Sequence, residues 1–474
     1  MAQANETKST ADTLTVDKNL TVTGTITGSL SGNASSASVA EEAWKDANGG
    51  LLTAKATKVS STTADTIFVN DGTGNLKDSG KSIKDIVNTY VCGGIEFSGT
   101  ASAGTLVGDF EGLTQAQLMK RWPFSALYID DVDSYSSDGT AYGHKDSYLV
   151  MPNMWHKETH KDDGSSTFMI ASYQVDTDYK MFYPGGFTEL CIAVYFASVS
   201  SEDYLAPLSS VSGATPVTGL TQTTTLSKSP YYKVMHGQTL RRAEYLDYRV
   251  LACYRTLATI WASCRNVQFV QGYSGVTGYT ASKWNIEDIT DAASRLTGVT
   301  EQATSKGYMP AGEVASGEIL GTSTTEWLDW QKRPFKLLGV ENPYGFLHQP
   351  VYGLCHATYG TKVYAVNTSH DPAVDITVPS SDFYKISCSV KQVDGWQKTF
   401  ISVNGFTFPN GVGASDTISV GDYVWNSDNS SGWNMFTVGG GFARQTASGL
   451  FAIDFHRRFD YVSPDNGVRL TYER

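Results

Sequence analysis

Residues 9–38 place the strongest limit on how this chain folds. Thirteen of these 30 residues are Ser or Thr, and the sparse aliphatic side chains recur every six positions, as in Leu14, Leu20 and Ile26. The alternation around them is typical of β-strands. One narrow aliphatic row cannot offset the entropy of ordering a lone two- or three-stranded piece. We therefore expect three identical chains to bury these rows against one another; the alternative is a flexible Ser/Thr/Gly linker.

Composition divides the chain near residue 100. All 14 prolines lie at Pro123 or later, and only four of the aromatic residues (10 Trp, 26 Tyr and 20 Phe) lie in the first hundred. After the repeats, residues 38–46 predict a short helix or collar, and residues 60–90 predict strand, turn, strand and helix. The predicted parts are a fibrous β segment over 1–45, a small β-rich collar module over 46–100 and one large domain over 101–474.

Charge and hydropathy argue against two classes of partner. The net charge is −12 and no Lys/Arg run is present, which argues against nucleic acid. The longest strongly apolar stretch, 190–199, is far shorter than the roughly 20 residues of a membrane span, and the first residues lack an apolar signal core. Six cysteines without a C-x-x-C pair predict reduced, mostly buried thiols. We expect a soluble protein that is neither inserted in a membrane nor conventionally secreted.

The large domain shows one strong helical pattern among short extended segments. Apolar residues such as Val250, Leu257 and Trp261 recur at intervals of three and four over residues 239–264, which predicts an amphipathic helix with Thr239 as its N-cap. Strand-like runs lie at 189–197, 362–366 and 384–393. A few helices among many strands and loops favour an α+β fold.

Two blocks of the N-terminal part resemble bacteriophage fibre proteins. Residues 20–37 (LTVTGTITGSLSGNASSA) look like the shaft repeats of such fibres. Residues 68–83 (FVNDGTGNLKDSGKSI) look like the short β-modules that follow those repeats. The resemblance implies a trimeric fibre that docks into a virion through its N-terminus.

Several blocks of the C-terminal part resemble phage proteins with a C-type-lectin-like fold. This fold is shared by formylglycine-generating enzymes and the variable proteins of diversity-generating retroelements. The matching blocks are 182–186 (FYPGG), 189–195 (ELCIAVY), 208–213 (LSSVSG), 338–345 (LGVENPYG), 433–441 (WNMFTVGGG), 448–454 (SGLFAID) and 466–470 (NGVRL). Residues 347–353 (LHQPVYG) depart from the family pattern, which puts the local loop geometry in doubt. The resemblance implies a C-type-lectin-like α+β domain.

The same resemblance implies which side chains bind a ligand. In relatives, the stretch between the Gly-rich turn and the terminal Arg-Leu presents outward-facing side chains on a stiff scaffold. The candidates here are Arg444, Gln445, Phe455, His456, Arg457, Arg458, Asp460 and Tyr461, with Trp425 and Trp433 nearby. Aromatic and Arg side chains are typical of recognition surfaces. Phe455 and Tyr461 have the alternative of being ordinary core residues.

Catalytic chemistry finds little support in the sequence. Formylglycine-generating enzymes use a closely spaced copper-binding cysteine pair, whereas Cys355 and Cys388 lie 33 positions apart. No G-x-S-x-G elbow, P-loop or dinucleotide fingerprint is present. We therefore predict a protein that is not an enzyme, with no catalytic residues and no cofactor.

Metal sites are weakly indicated. His156 and His160 would share one face of a helix, but their segment is predicted to be strand and loop. The acidic stretch with Asp130, Asp131 and Asp138 (and Asp133) offers oxygen ligands for Ca²⁺ but lacks EF-hand spacing, so an exposed acidic turn is the alternative. The tripeptide 341–343 (ENP) matches a lectin calcium motif, yet it belongs to the structural Glu-Asn turn of the resemblance.

The function predicted from the sequence is that of a virion fibre. The sparse N-terminal part would attach to capsid or tail proteins, and the aromatic C-terminal domain would bind a bacterial surface glycan or protein. The alternatives are a head fibre or capsid decoration protein without a required receptor, and a polysaccharide depolymerase. The sequence does not distinguish a location on the head from one on the tail.

Overall fold

The protein divides into two compact units, Met1–Thr89 and Tyr90–Arg474. The computed structural model describes residues 66–70, 76–82, 90–99, 101–199, 206–234, 239–265, 296–297, 336–359, 361–367, 383–387, 394–413, 422–426, 433–441 and 447–474. Across these residues, no helix has the length and apolar character needed to cross a membrane.

The described part of the first unit is one antiparallel strand pair. Strand β1 (Thr66–Asn70) pairs with β2 (Leu76–Ser82). Both strands lie where the sequence predicts them, in the 60–90 module. The Ser/Thr repeats at 9–38, the short helix or collar predicted at 38–46 and the helix predicted at the end of the 60–90 module lie largely outside the described residues, so those predictions stay predictions.

The second unit is built mainly from strands. In chain order they are β3 (Cys92–Phe97), β4 (Thr105–Gly108), β5 (Tyr128–Tyr135), β6 (Ala141–Pro152), β7 (Trp155–His160), β8 (Ser166–Ala171), β9 (Lys180–Met181), β10 (Glu189–Ala193), β11 (Ser198–Val199), β12 (Leu208–Ser209), β13 (Tyr231–Val234), β14 (Thr239–Arg242), β15 (Glu244–Tyr245), β16 (Lys336–Leu337), β17 (Val340–Glu341), β18 (Gln349–Tyr359), β19 (Thr361–Asn367), β20 (Phe383–Ser387), β21 (Gly395–Val403), β22 (Phe406–Gly413), β23 (Tyr423–Trp425), β24 (Trp433–Val438), β25 (Ile453–Asp454) and β26 (Leu470–Glu473).

These strands form three larger sheets within the described residues. The first has the order β4-β3-β8-β7-β9, the second β14-β13-β5-β6-β10-β26-β15 and the third β20-β19-β18-β24-β25-β23-β21-β22. The pairs β11-β12 and β16-β17 stand apart from them. Neighbours in these sheets are often far apart in sequence, so long-range pairing holds the unit together.

The helices are few, and one of them is central. They are α1 (Gln115–Leu118), α2 (Gln222–Lys228) and α3 (Tyr248–Ala262), with a 3-10 turn at Phe124–Ala126. Among the described residues, strands account for 48% and helices for 12%. The prediction of an α+β domain of the C-type-lectin-like kind is therefore wrong, because the segments between the helices pair into sheets and the fold is β-rich.

The long helix begins later than the sequence predicts. Thr239 is not an N-cap but the first residue of β14, because residues 239–245 pair with β13 and β26 as strands. Asp247 caps α3 instead, and its carboxylate accepts a hydrogen bond of 2.7 Å from the Arg249 N–H. The helix ends at Ala262, and Ser263 caps it with a left-handed φ of 50°.

Helix α3 is buried on every side. The predicted amphipathic stripe is present, but polar positions such as Arg255 and Thr259 are buried as well. The reason is that α3 packs against β3 of the first sheet, β10 of the second and both β18 and β22 of the third. The helix is the core around which the three sheets gather, and it has no exposed face.

Other sequence predictions can be compared directly. The run 189–197 forms β10 over its first five residues, and 362–366 lies within β19. The run 384–393 lies in β20 as far as Ser387, and residues 388–393 are outside the described part. Five cysteines are free thiols and four of these are buried, as predicted; Cys388 lies outside the described residues.

Candidate functional site

The candidate site lies where the short strand β25 ends. β25 runs parallel to β23 and antiparallel to β24, so Asp454 pairs with Trp425 on one side and Thr437 on the other. The chain then leaves the sheet as the 455–465 loop. The His348 N–H donates to the Asp465 carbonyl at 2.8 Å, so the segment before β18 holds the end of this loop.

A buried ion-pair network supports the 455–465 loop from below. Arg457 Nε lies 3.1 Å from Asp454 Oδ2, and Arg457 Nη2 lies 3.0 Å from Asp465 Oδ2. The His348 ring lies 4.0 Å from both carboxylates. All four side chains are buried, so their charge-assisted hydrogen bonds are shielded from water. The two ends of the loop are thereby held to one guanidinium.

The electrostatics favour the ionised form of this network. Burial raises the pKa of Asp454, but the nearby His348, Arg457 and His456 lower it by more, and it ends below its usual range. Burial lowers the pKa of Arg457, and the adjacent Asp454 and Asp465 carboxylates outweigh this and raise it. Asp454 and Arg457 therefore favour their charged forms, and their ion pair holds the loop in place.

The tip of the loop, residues 458–462, faces solvent. The side chains of Arg458 and Asp460 are 70% and 75% exposed and form an ion pair of 3.4 Å. Tyr461 and Val462 are 37% and 55% exposed. The Arg457 guanidinium lies 4.4 Å from the centre of the Tyr461 ring, which anchors that ring to the buried network. The tip offers a guanidinium, a carboxylate, an aromatic ring and an aliphatic group.

Some predicted outward-facing residues point inward. Phe455 is buried, with its ring 4.6 Å from that of His356 and 4.9 Å from that of Phe436. The outward orientation predicted for it is therefore wrong, and the alternative of a core residue is right. The Phe455 N–H donates to the Trp425 carbonyl at 2.9 Å, which directs the ring into the core. Trp425 is buried as well.

The remaining predicted residues are divided between the network and the surface. Arg457 is buried in the network, so its predicted outward orientation is wrong. His456 is half-buried, with Nδ1 3.4 Å from Asp454 Oδ1 and Nε2 3.8 Å from Asp394 Oδ1. Trp433 is half-buried at the start of β24. Arg444 and Gln445 lie outside the described residues, and only Arg458, Asp460 and Tyr461 are exposed as predicted.

Sequence reasoning missed the acidic side chains that hold the loop. Asp454 and Asp465 bracket it, and an Arg between two such aspartates is a weak signal that could have been noticed. His348 could not have been found in this way, because it lies more than a hundred residues earlier and reaches the site only through the pairing of the segment that precedes β18.

His156 and His160 were one of the two candidate metal sites, and the structure does not bring them together. His156 and His160 lie on strand β7, as predicted, where residues four apart are about 13 Å from each other. His160 Nδ1 instead meets Ser166 Oγ at 2.9 Å. The separation of about 13 Å between His156 and His160 is too long for both rings to bind one ion, because ligand bonds to zinc are about 2 Å.

Three of the acidic side chains near residue 130 each have a partner of their own. Asp130 pairs with Arg474 at 2.7 Å, and Asp131 accepts a hydrogen bond of 2.6 Å from Ser147 Oγ. Asp138 accepts from the Thr140 N–H at 2.9 Å within a turn. Over the described ranges, no group of three or more His, Cys, Asp or Glu residues is placed to hold a metal ion.

The Glu-Asn turn is structural. Arg469 is buried and donates through Nη2 to the carbonyls of Glu341 (2.8 Å) and Asn342 (3.2 Å). Through Nη1 it donates to the carbonyls of Ala193 and Val194 at 2.8 and 3.0 Å, and through Nε to Gln349 Oε1 at 2.8 Å. Its burial lowers the pKa of the guanidinium to about 10. This clamp joins the second and third sheets.

Comparison with known proteins gives no family assignment: no protein-family model matches the chain, and no curated protein matches it.

Proposed function

We propose that the chain is a virion fibre protein of a tailed bacteriophage. Three copies associate and attach to capsid or tail proteins through the N-terminal part, and the second unit binds a glycan or protein of the bacterial surface. The fibre-like repeats at 20–37 and the C-terminal blocks similar to phage proteins support this proposal.

The tip 458–462 is the observation that carries the recognition role. Exposed side chains of four chemical kinds stand on a loop whose buried ends are fixed by Arg457, Asp454 and Asp465. A rigid support lowers the entropy that is lost when a ligand is bound. The Tyr461 ring can stack on a sugar or apolar surface, while Arg458 and Asp460 can donate to and accept from hydroxyl or amide groups.

The same site favours binding over catalysis. A general acid at neutral pH needs a raised pKa, whereas the pKa of Asp454 is lowered. Both carboxylates are also held by the Arg457 guanidinium. These features support a binding role for this loop over that of a depolymerase.

Phage adsorption tests the tip directly. We expect Tyr461→Ala combined with Arg458→Ala to lower adsorption to host cells by about tenfold or more, since aromatic and Arg anchors dominate recognition. Tyr142→Ala is a matched control, because Tyr142 is 38% exposed, about as much as Tyr461, and lies on a different element, β6. Adsorption that is unchanged in the double variant would exclude the tip as the recognition site.

Location on the particle separates fibre types. Electron microscopy of particles labelled with antibody to this chain shows whether it projects from the tail or from the head. A tail position together with the adsorption loss agrees with the proposal. A head position with normal adsorption favours a decoration protein instead.

A further inference from the structure

His348 completes a ring of alternating charges beneath the 455–465 loop. The Arg457 guanidinium lies 3.1 Å from Asp454 Oδ2 and 3.0 Å from Asp465 Oδ2. The His348 ring reaches the same two oxygens, with Nδ1 4.0 Å from Asp454 Oδ2 and Nε2 4.0 Å from Asp465 Oδ2. Each ring nitrogen therefore faces one carboxylate, and each carboxylate lies between the guanidinium and the imidazole.

Backbone hydrogen bonds fix the His348 ring in this position. The His348 N–H donates to the Asp465 carbonyl at 2.8 Å, and the His348 carbonyl accepts from the Gly467 N–H at 2.9 Å. The Trp425 ring meets the imidazole edge to face, with ring centroids 5.7 Å apart. The His348 side chain is 1% exposed, so the two carboxylates face its nitrogens in place of bulk water.

This arrangement favours a proton on both nitrogens of the His348 ring. A neutral imidazole has an N–H on one nitrogen and a lone pair on the other. A lone pair that faces a buried carboxylate is repelled by it. With a neutral ring, Asp454 and Asp465 would share the single positive charge of Arg457, and an uncompensated buried charge is costly. The imidazolium directs an N–H at each carboxylate and balances the second negative charge.

The charged groups that face His348 belong to β25 and to the loop. Asp454 ends β25, and Arg457 and Asp465 come from the loop. His456 adds a second imidazole beside Asp454, with Nδ1 3.4 Å from Asp454 Oδ1. Burial raises the pKa of Asp454, but the nearby charges, His348 first among them, outweigh burial and lower it. By linkage, the attraction that keeps Asp454 ionised equally favours the proton on His348.

We propose that His348 is an imidazolium at neutral pH and that its charge positions the tip of the loop for binding. Asp454 and Asp465 bracket the loop, so their repulsion separates its ends once His348 loses its proton. The Tyr461 ring at the tip depends on Arg457, which lies 4.4 Å from it and is held by the same carboxylates. Recognition by the tip therefore weakens as the pH rises. The positioning role of His348 rests on the proposed function, whereas its charge does not.

The pH dependence of stability tests the charge of His348. Urea unfolding compares the full-length wild type with His348→Gln, whose amide does not titrate, at equal protein concentration between pH 5 and pH 9. The unfolded chain releases the histidine proton above about pH 6.5, whereas the folded chain holds it. We expect the folding constant of the wild type to fall relative to that of the variant by about tenfold per pH unit above 6.5. The fall ends where the folded chain loses the proton as well.

His156→Gln is the matched control for this measurement. His156 is buried like His348, but burial lowers the pKa of His156 to about 4, against a smaller opposite effect of Glu158. The folded chain therefore binds the His156 proton less readily than the unfolded chain does. We expect the wild type to gain stability relative to His156→Gln as the pH rises from 5 to 6.5, which is the opposite sign.

Phage adsorption measures the effect of His348 on the tip. At pH 6.5 we expect particles with His348→Gln to adsorb about tenfold less than the wild type, a usual size for coupling between two sites. The ratio of wild-type to variant adsorption cancels the effect of pH on the host cells. We expect this ratio to decline to about one at the pH at which the difference in stability levels off.

The outcomes separate the charge of His348, its positioning role and the proposed function. A stability difference between wild type and His348→Gln that rises or stays constant with pH overturns the imidazolium, whatever adsorption shows. A falling difference with equal adsorption at pH 6.5 overturns the positioning role alone. Normal adsorption of Tyr461→Ala combined with Arg458→Ala overturns the proposed function and the positioning role with it, but not the charge. A falling difference with the expected adsorption ratio supports all three.

Discussion

Arg469 and Arg255 are both buried in the second unit, but their guanidinium groups differ in hydrogen bonding. Arg469, which lies where the second and third sheets meet, donates from all three nitrogens to five acceptors. Arg255 lies in the middle of α3, and none of its nitrogens has a hydrogen-bond partner among the described residues. Its guanidinium instead lies 4.9 and 5.2 Å from the ring centres of Phe406 and Phe451.

The difference shows that burial alone does not define what an arginine does. Burial lowers the pKa of Arg255 to about 9, against a smaller opposite effect of Asp422. Arg469 donates to carbonyls of the second sheet and of the Glu-Asn turn, so the backbone around it depends on the guanidinium. The neighbours of Arg255 are mainly aromatic faces, which would pack equally well against an apolar chain.

The largest effect is expected at Arg469. The substitution Arg469→Met keeps an unbranched but shorter side chain and removes the guanidinium that donates to four backbone carbonyls. Each buried carbonyl that is left without a donor costs about 1–3 kcal/mol. We expect a loss of more than about 3 kcal/mol in the free energy of unfolding, measured by urea denaturation. Arg469→Lys should fall between Met and the wild type. A loss under 1 kcal/mol, a small value for any buried polar change, would contradict the clamp.

An intermediate and pH-dependent effect is expected at His156. Its ring stacks on Phe182 at 4.0 Å, and neither ring nitrogen has a partner among the described residues. Burial lowers the pKa of His156 to about 4, against a smaller opposite effect of Glu158. The unfolded chain therefore binds a proton near pH 6.5 that the folded chain does not, and stability falls as the pH drops from 6.5 to about 4.

The substitution His156→Phe isolates this pH effect. It keeps the stacking on Phe182 and removes the titrating group. We expect the wild type to lose up to about 3 kcal/mol more than the variant between pH 7 and pH 4, measured by urea denaturation at each pH. Equal pH profiles for the two proteins would show that the His156 ring is hydrated or paired in solution.

The smallest effect is expected at Arg255. Arg255→Met should change the free energy of unfolding by less than about 1 kcal/mol or raise it, because an apolar chain avoids the desolvation of a buried charge. Arg255→Lys is the control, since it keeps the charge without the planar group that faces the rings. If Arg255→Met lowered the free energy of unfolding as much as Arg469→Met does, the two arginines would not differ in their contribution to stability. Such a result would indicate that buried water satisfies the Arg255 donors.

The sequence alone distinguishes the surroundings of Arg469 from those of Arg255 only in part. The resemblance marks the segment 466–470 and correctly treats Glu341 and Asn342 as a structural turn. The resemblance does not show that Arg255 is buried. Helix α3 contacts three sheets and is buried all round, although the periodicity of its apolar residues is that of a surface helix. The start of α3 was mispredicted because residues 239–245 form strands through partners more than a hundred residues away as well as nearby.

The candidate site was predicted in position but not in orientation. The sequence placed it around residues 455–461, and Arg458, Asp460 and Tyr461 are exposed there. Whether a neighbouring side chain points in or out depends on the pairing of β25 and on contacts with His348. Arg457 and Arg458 are adjacent and chemically identical, so composition could not separate the buried one from the exposed one.

Strand β26 has a consequence for how the protein is made. It lies between β10 and β15 in the second sheet, although about 280 residues separate it from β10 along the chain. At a translation rate of about 5–20 residues per second, β10 waits roughly 15–55 s for this partner. The sheet therefore closes only after residues 470–473 have left the ribosome, and until then the edge of β10 that β26 covers is open to chaperones or to aggregation.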